Sequence, residues 1–335
     1  MLTYLLLTER CNLNCSHCIR GEKRTKDMTS SNFRRAIDQV QHVHPESGFV
    51  LTGGEPTLNS AFERMLDGLL RSTQRTVIVN SNGTTRFYER IARYSGFKNL
   101  RIQFSIDGDE KEHDQIRGAG AFVRLRKSLE LVRVAGMPIW VSTVVTNQNV
   151  ESIGRLRNLM IEFNVQKWHV NPVLPFGCGK GMTPMPIEKW NAFVDKMIDE
   201  TPLRLGIKKL FDFSLLESMG KAEIRKFEAE SVKNRRRNCG CGQRKLYVYP
   251  DMTVYGCACL TNYPMGNLRD ADLDVIERSE NAVALREYAL VQDSPCRLCQ
   301  YVGICNGGCI GMSVHNFGRL GVGDIRCPIF KELLK

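Results

Sequence analysis

Cys11-Asn12-Leu13-Asn14-Cys15-Ser16-His17-Cys18 sets three thiols in a Cys-x3-Cys-x2-Cys loop, a spacing suited to holding metal. A [4Fe–4S] cluster has four irons, so three thiolates leave one iron open to a small chelating ligand. Zinc is the other reading, although a structural zinc site wants four closed ligands and commonly paired Cys-x2-Cys knuckles. His17 could complete such a site or simply pack locally. A second stretch, Leu51-Thr52-Gly53-Gly54-Glu55-Pro56, carries two glycines that let backbone approach a ligand closely. Alone it reads as a turn; its place one βα unit after the cysteine loop makes it specific. Nine of the 13 cysteines then crowd into residues 239–327: Cys239, Cys241, Cys257 and Cys259, followed by Cys296-x2-Cys299-x5-Cys305-x3-Cys309 and Cys327. Nine thiolates suffice for two four-ligand sites with one left over.

These residues need a frame. Six β-rich apolar runs, near Tyr4–Thr8, Phe49–Thr52, Thr76–Ser81, Arg101–Ile106, Ile139–Val145 and Trp168–Val173, alternate with amphipathic stretches. Helical faces recur at three- and four-residue spacing in Phe33, Ile37 and Val40, in Leu58, Phe62, Met65 and Leu69, and in Phe122, Leu125, Leu129 and Val132. Gly136 and Pro138 supply a stop for the last of these. This alternation predicts an α/β fold, a parallel sheet curled into a partial (β/α)6 TIM-like barrel, because eight units would need more chain. The cysteine loop and the glycine pair then fall at strand ends, the mouth where barrel ligands bind. The expected division is a barrel over 1–200, a polar helical linker over 201–238 and a small cysteine-rich domain over 239–335. Lys233-Asn234-Arg235-Arg236-Arg237 in the linker reads as a solvated face or as a dock for an acidic substrate.

Of the 335 residues, 42% are hydrophobic and 25% charged, which excludes a disordered chain and allows a sizeable core. No window approaches the ~18 apolar residues of a membrane span. Tyr4-Leu5-Leu6-Leu7 runs at once into Thr8-Glu9-Arg10, which is no secretion signal, so a cytoplasmic protein is expected. Thirteen cysteines in a reducing compartment point to metal ligation or redox work rather than disulfides. A formal charge of +11 would draw an acidic partner, a peptide or a nucleic acid. An iron–sulfur or zinc module acting on nucleic acid would need an interleaved aromatic and basic stripe, which the sequence lacks.

The cysteine loop followed by Gly53-Gly54-Glu55-Pro56 resembles the radical S-adenosylmethionine (SAM) enzymes, coherently over residues 1 to about 180. The resemblance implies that Cys11, Cys15 and Cys18 hold a [4Fe–4S] cluster. Its open iron would take the amino and carboxylate groups of SAM, with the Gly-Gly-Glu-Pro strand end receiving the amino group. One electron would cleave SAM to methionine and a 5′-deoxyadenosyl radical that abstracts hydrogen from an unactivated C–H bond. Asn80, Ser81, Ser105 and Asp107, in Asn80-Ser81-Asn82-Gly83 and Phe104-Ser105-Ile106-Asp107-Gly108, stand where the family holds the ribose and carboxylate of SAM. Each also reads as a polar residue in a turn. His113-Asp114-Gln115-Ile116-Arg117-Gly118 resembles a loop of peptide-modifying relatives, with Arg117 a carboxylate partner. Thr143 to Thr146 would meet the adenine through backbone groups.

The second cluster resembles the SPASM domain, the auxiliary-cluster extension of radical SAM enzymes. By that resemblance Cys296, Cys299, Cys305 and Cys327 would hold one auxiliary [4Fe–4S] cluster. Cys309 would cross back to a second one with Cys239, Cys257 and either Cys241 or Cys259. Where the pattern has Pro-Asp-Gly, this chain reads Pro250-Asp251-Met252, and sulfatase maturases carry an acid where Ala258 stands. The absent proton acceptor argues against that activity. The expected function is cross-linking of a ribosomally made precursor peptide, through a thioether or carbon–carbon bond. A peptide epimerase, a sulfatase maturase or a small-molecule dehydrogenase are the alternatives. With the cluster loop starting at residue 11, no leader-binding domain is expected ahead of it, so a separate leader-binding protein joins the partners, beside a flavodoxin or ferredoxin as electron donor. Cys178, in Pro175-Phe176-Gly177-Cys178-Gly179, is either a free loop thiol or a catalytic hydrogen donor to a carbon radical, as an epimerase requires.

Overall fold

β1 (Leu2–Thr8) is buried on both faces, as a central parallel strand covered by layers on each side must be. The computed structural model describes residues 1–21, 25–217 and 240–334, with 219, 223, 226 and 229 between them. The expected strands form: β2 (Gly48–Gly53), β3 (Val77–Ser81), β4 (Leu100–Ser105), β5 (Ile139–Val145) and β6 (Lys167–Pro172) follow β1 in parallel. Leu5 and Leu7 of β1, Val77 and Val79 of β3, and Ile102 and Phe104 of β4 pack at period two into one core with the outer helices. The alternate residues face the barrel interior.

α1 (Ser30–Val43) buries Phe33, Ala36, Ile37 and Val40, and its N-cap Thr29 accepts from the Asn32 amide. The next expected helix divides. Leu58 belongs to a 3-10 turn, Pro56–Leu58, and α2 runs from Phe62 to Ser72. Asn59 explains the break: its amide donates to the carbonyls of Leu7 and Met28 while its side-chain oxygen accepts from Ala61, so the chain is tied to β1 between the two pieces. Residues 113–117 are the end of a helix, α3 (Glu110–Arg117), rather than a loop, because Asp109 caps it through the Glu112 amide. α4 (Ala121–Val134) stops at Gly136, whose φ of 66° is the left-handed geometry expected of a terminating glycine.

The sheet does not end with six strands. A two-residue β7 (Leu205–Gly206) joins β6, and on the far side β8 (Lys245–Val248) pairs in parallel with β1, Leu2 opposite Lys245 and Leu5 opposite Val248. β9 (Thr253–Tyr255) and β10 (Gly266–Asn267) extend it antiparallel. The cysteine-rich region is thus hydrogen-bonded into the barrel's first strand, and Leu246, Val248, Met252 and Val254 share the barrel's core. Met252 keeps a left-handed φ of 71° with its side chain fully buried, so the turn retains the geometry that Pro-Asp-Gly would supply, at a backbone cost of ~1–2 kcal/mol. Cys239 and the basic run 233–237 lie outside the described residues. Among the described residues no helix is long and apolar enough to cross a membrane.

Candidate functional site

The cysteine loop is held by β1 and β2 together. The Gly54 and Glu55 amides donate to the Thr8 and Arg10 carbonyls at 2.8 Å each, which brings the glycine pair against the chain entering the loop. A Cβ on Gly53, whose φ is 143°, would stand 2.2 Å from the Thr8 carbonyl oxygen, and one on Gly54 would stand 2.2 Å from that of Arg10. The glycines therefore make room for the cysteine loop's backbone, and the Gly54 and Glu55 amides are spent on the chain that leads into it. On the other side Gly177, with φ 58°, presses on the loop so closely that a Cβ would lie 2.4 Å from the Cys18 carbonyl oxygen. The Cys178 amide donates to that same oxygen at 2.8 Å.

Above these elements opens a cavity of about 880 Å³, within the ~300–1,000 Å³ of small-molecule sites. Cys11, Cys15 and Cys18 line it together, as do Gly53 and Gly54 from the end of β2, Asn80 and Ser81 from β3, and Ser105 from β4. Arg117, Val144 and Cys178 line it as well. The alternation of β3, β4 and β5 that buries one set of residues in the core turns Asn80, Ser105 and Val144 inward. Thr143 lies on the core side instead, its hydroxyl donating to the Ile106 carbonyl and accepting from Trp168.

Glu55, Pro56 and Asp107 are not among the residues that line the cavity. The Glu55 carboxylate, fully buried, accepts from the Thr57 amide and hydroxyl, from Ser81 Oγ at 2.9 Å and from the Asn82 amide at 2.8 Å. It fastens the end of β2 to the end of β3. Burial raises its pKa against these four donors. Pro56 opens the 3-10 turn that follows.

Asp107 sits behind the cysteines as a buried anion. Its carboxylate takes Arg117 Nε at 2.6 Å, His17 Nε2 at 2.8 Å and the Val144 amide at 2.8 Å. Burial alone would raise its pKa; the Arg117 guanidinium and His17 hold it well below the usual carboxylate range instead. Arg117 also donates from Nη1 to Cys15 Sγ at 3.9 Å. The guanidinium expected to face only a ligand carboxylate is thus already fixed between an aspartate and a cysteine of the loop. His17 lines the cavity as well, its Nε2 on Asp107 and its Nδ1 buried without a protein partner.

Cys15 is pushed up to about 11 by burial, which Arg117 opposes, and Cys305 to about 12, again by burial. A thiol in such a place ionises only when a metal compensates the charge. The other cysteines form two groups. Cys296, Cys299, Cys305 and Cys327 surround one small chamber with Phe211 and Phe330. Cys241, Cys257 and Cys259 meet one another, hydrogen bonds from Cys241 and Cys259 holding Cys257 well below the ordinary thiol range. A Cβ added at Gly311 would contact both Cys259 Cβ at 3.3 Å and Cys309 Sγ at 3.8 Å, so Cys309 stands beside this second group. The fold brings together Cys241 and Cys259, where sequence reasoning left a choice between them.

Sequence reasoning missed one wall of the cavity. Tyr4 of β1 and Tyr247 of β8 stack there with ring centroids 4.5 Å apart, beside Glu9, Arg20 and Ala258. Only the pairing of β8 with β1 reveals it. The donor set fits iron–sulfur clusters and SAM: three thiols and polar strand ends on one cavity lining, and eight further cysteines in two groups.

A parallel α/β barrel with a three-cysteine loop at the end of its first strand defines the radical SAM class of fold. Residues 5–160 match the radical SAM superfamily and residues 239–300 the iron–sulfur cluster-binding SPASM domain, so the chain carries a radical SAM domain and a SPASM domain. It is 27% identical to an AdoMet-dependent heme synthase of Methanosarcina barkeri, over 90% of this chain and 88% of that one. It is 26% identical to the mycofactocin maturase MftC of Mycolicibacterium smegmatis, over 91% of this chain and 76% of that one. The crystal structure of Streptococcus suis SuiB bound to precursor peptide SuiA superposes with a TM-score of 0.80 at 17% identity, covering 98% of this chain and 75% of that one.

Proposed function

We propose that this enzyme matures a ribosomally made precursor peptide and leaves it with a thioether or carbon–carbon cross-link. The observation that carries the reading is the shared cavity. Its lining brings together the three cysteines, the barrel strand ends, and Tyr247 and Ala258 from the SPASM region. A substrate there lies between the cleaving cluster and the auxiliary cysteines. When bound, the cluster and SAM supply a 5′-deoxyadenosyl radical able to abstract hydrogen from an unactivated C–H bond.

In this reading Cys11, Cys15 and Cys18 hold that cluster, and Cys296, Cys299, Cys305 and Cys327 hold one auxiliary cluster. Cys239, Cys257 and Cys309, with either Cys241 or Cys259, supply the four ligands of the other. Asn80, Ser81 and Ser105 hydrogen-bond SAM, and Arg117 presents to its carboxylate whatever donor capacity Asp107 and Cys15 leave. Ala258 faces the cavity with no acid to offer, which weighs against sulfatase maturation. The likeness to a mycofactocin maturase and to a peptide-bound SuiB fold supports a peptide substrate. A flavodoxin or ferredoxin in the cytoplasm serves as reductant.

The likeness to a heme synthase over nearly the whole of both chains favours a second reading, oxidation of a small heme precursor in the same cavity. The test is to incubate the reconstituted enzyme, SAM and reductant with peptides encoded beside its gene and to weigh the products. Loss of two hydrogens from a peptide, traced to one linked residue pair, is expected. Unchanged mass with solvent deuterium incorporated would replace the cross-link with epimerisation, and peptides that never change while a heme precursor is oxidised would favour the second reading.

A further inference from the structure

Glu9 is the one carboxylate among the described residues that line the cavity. Its Oε2 is buried and meets no donor from the protein. The two cations on the same lining are already engaged. Arg117 is held by Asp107, and Arg20 donates to the Tyr249 hydroxyl at 2.6 Å with its guanidinium 5.4 Å from that ring's centroid. Burial raises the Tyr249 hydroxyl, and Arg20 and Glu9 are both among the charges acting on it, which places Glu9 on the wall where the barrel meets the SPASM hairpin. The same lining presents the stacked rings of Tyr4 and Tyr247.

A buried carboxylate oxygen without a donor is costly. Water can offer a hydrogen bond but no opposite charge, whereas an ammonium or guanidinium offers both, and ring faces nearby favour the same guest. We propose that Glu9 is the anionic anchor for a cationic side chain, a lysine ammonium or an arginine guanidinium, of the molecule that enters this cavity. The inference rests on the peptide reading above for the source of that side chain. It gives the molecule two electrostatic tasks: a surface of net charge +11 gathers an acidic chain, and one interior carboxylate selects a cationic residue within it.

The experiment uses the full chain, reconstituted and loaded with SAM. Binding of Nα-acetyl-lysine methylamide, Nα-acetyl-arginine methylamide and the neutral norleucine analogue is followed by calorimetry. At least one cationic probe should bind about tenfold or more tightly than norleucine, the scale of a hydrogen bond to a charged group. Glu9→Gln should erase that preference and Glu9→Asp keep part of it, while SAM affinity stays as in the native protein. No preference in the native protein, or a preference that survives Glu9→Gln, overturns the anchor. So does a loss of SAM affinity in Glu9→Gln, which would give the carboxylate to the cofactor. Should Glu9→Gln fail to hold its iron, Glu9→Asp and the native probe comparison decide. If no peptide is ever modified while the cationic preference stands, the peptide reading falls and the anchor does not. The reverse pattern removes the anchor alone.

Discussion

A Cβ on Gly54 would stand 2.2 Å from the carbonyl oxygen of Arg10, the residue that leads into the cysteine loop. The glycine's first duty is therefore to the loop's backbone. Gly54→Val should lower stability by about 2 kcal/mol or more and lose iron from the N-terminal site together with SAM binding. Iron analysis and thermal unfolding check this. A variant that keeps all its iron and loses only SAM would return the glycine to the ligand.

Replacing Cys11, Cys15 and Cys18 together by Ala should abolish 5′-deoxyadenosine formation. The C-terminal cysteines should retain up to two clusters' worth of iron, roughly eight atoms. Undiminished SAM cleavage by that protein would sink the assignment.

Asp107 neutralises a buried guanidinium, so Asp107→Asn should cost about 3–5 kcal/mol, the scale of an uncompensated buried charge. Because Arg117 also reaches Cys15, the variant should retain less iron at the N-terminal site than native protein. Urea unfolding and iron content measured on one preparation check both. Native stability in Asp107→Asn would mean that Arg117 finds another partner.

His113 accepts the Asp107 amide through Nδ1, and its Nε2 is buried without a partner. Burial, then Arg117, pushes its pKa down to about 4. The unfolded chain, titrating near the ordinary value of about 6.5, binds this proton first. The stability that neutral His113 contributes is therefore full above about pH 6.5 and is lost as pH falls toward 4, by about 3 kcal/mol at most. His169, lowered to about 4 by burial and by Lys167, acts in the same direction. Thermal unfolding of the metal-free protein should weaken from pH 7 to pH 5, and His113→Asn, which preserves an acceptor for the Asp107 amide, should flatten the slope.

Cys178 is exposed on its side chain, lines the cavity and is tied by its amide to Cys18. Under the epimerase alternative, Cys178→Ala should still form 5′-deoxyadenosine but stop solvent deuterium reaching the peptide. For a cross-linking enzyme the product should be unchanged, and mass spectrometry in deuterated water separates the two.

Much of this molecule is written locally. The six barrel strands and the faces of α1, α2 and α4 follow from periods of two and near four, which neighbours along the chain express without help from the rest. Cysteine spacings are likewise local: Cys11, Cys15 and Cys18 line one cavity because eight residues cannot part them far, and the steps of three and six residues from Cys296 to Cys299 to Cys305 bring those thiols to one chamber in the same way. Composition could not show that β8 of the cysteine-rich region pairs with the barrel's first strand.

Tertiary structure decided the rest, wherever partners lie far apart in sequence or a side chain's direction turns on one residue. Tyr4 meets Tyr247 only through parallel pairing across more than 240 positions, and four residues of β8 are too few to announce that pairing. At strand ends the regular alternation breaks down, so the motif Gly53-Gly54-Glu55-Pro56 could not say that its glutamate binds Ser81 and Asn82. Nor could Ser105-Ile106-Asp107 say that its serine lines the cavity while its aspartate serves Arg117. Burial and charge compensation choose between those directions, and both depend on what the whole fold places behind each residue.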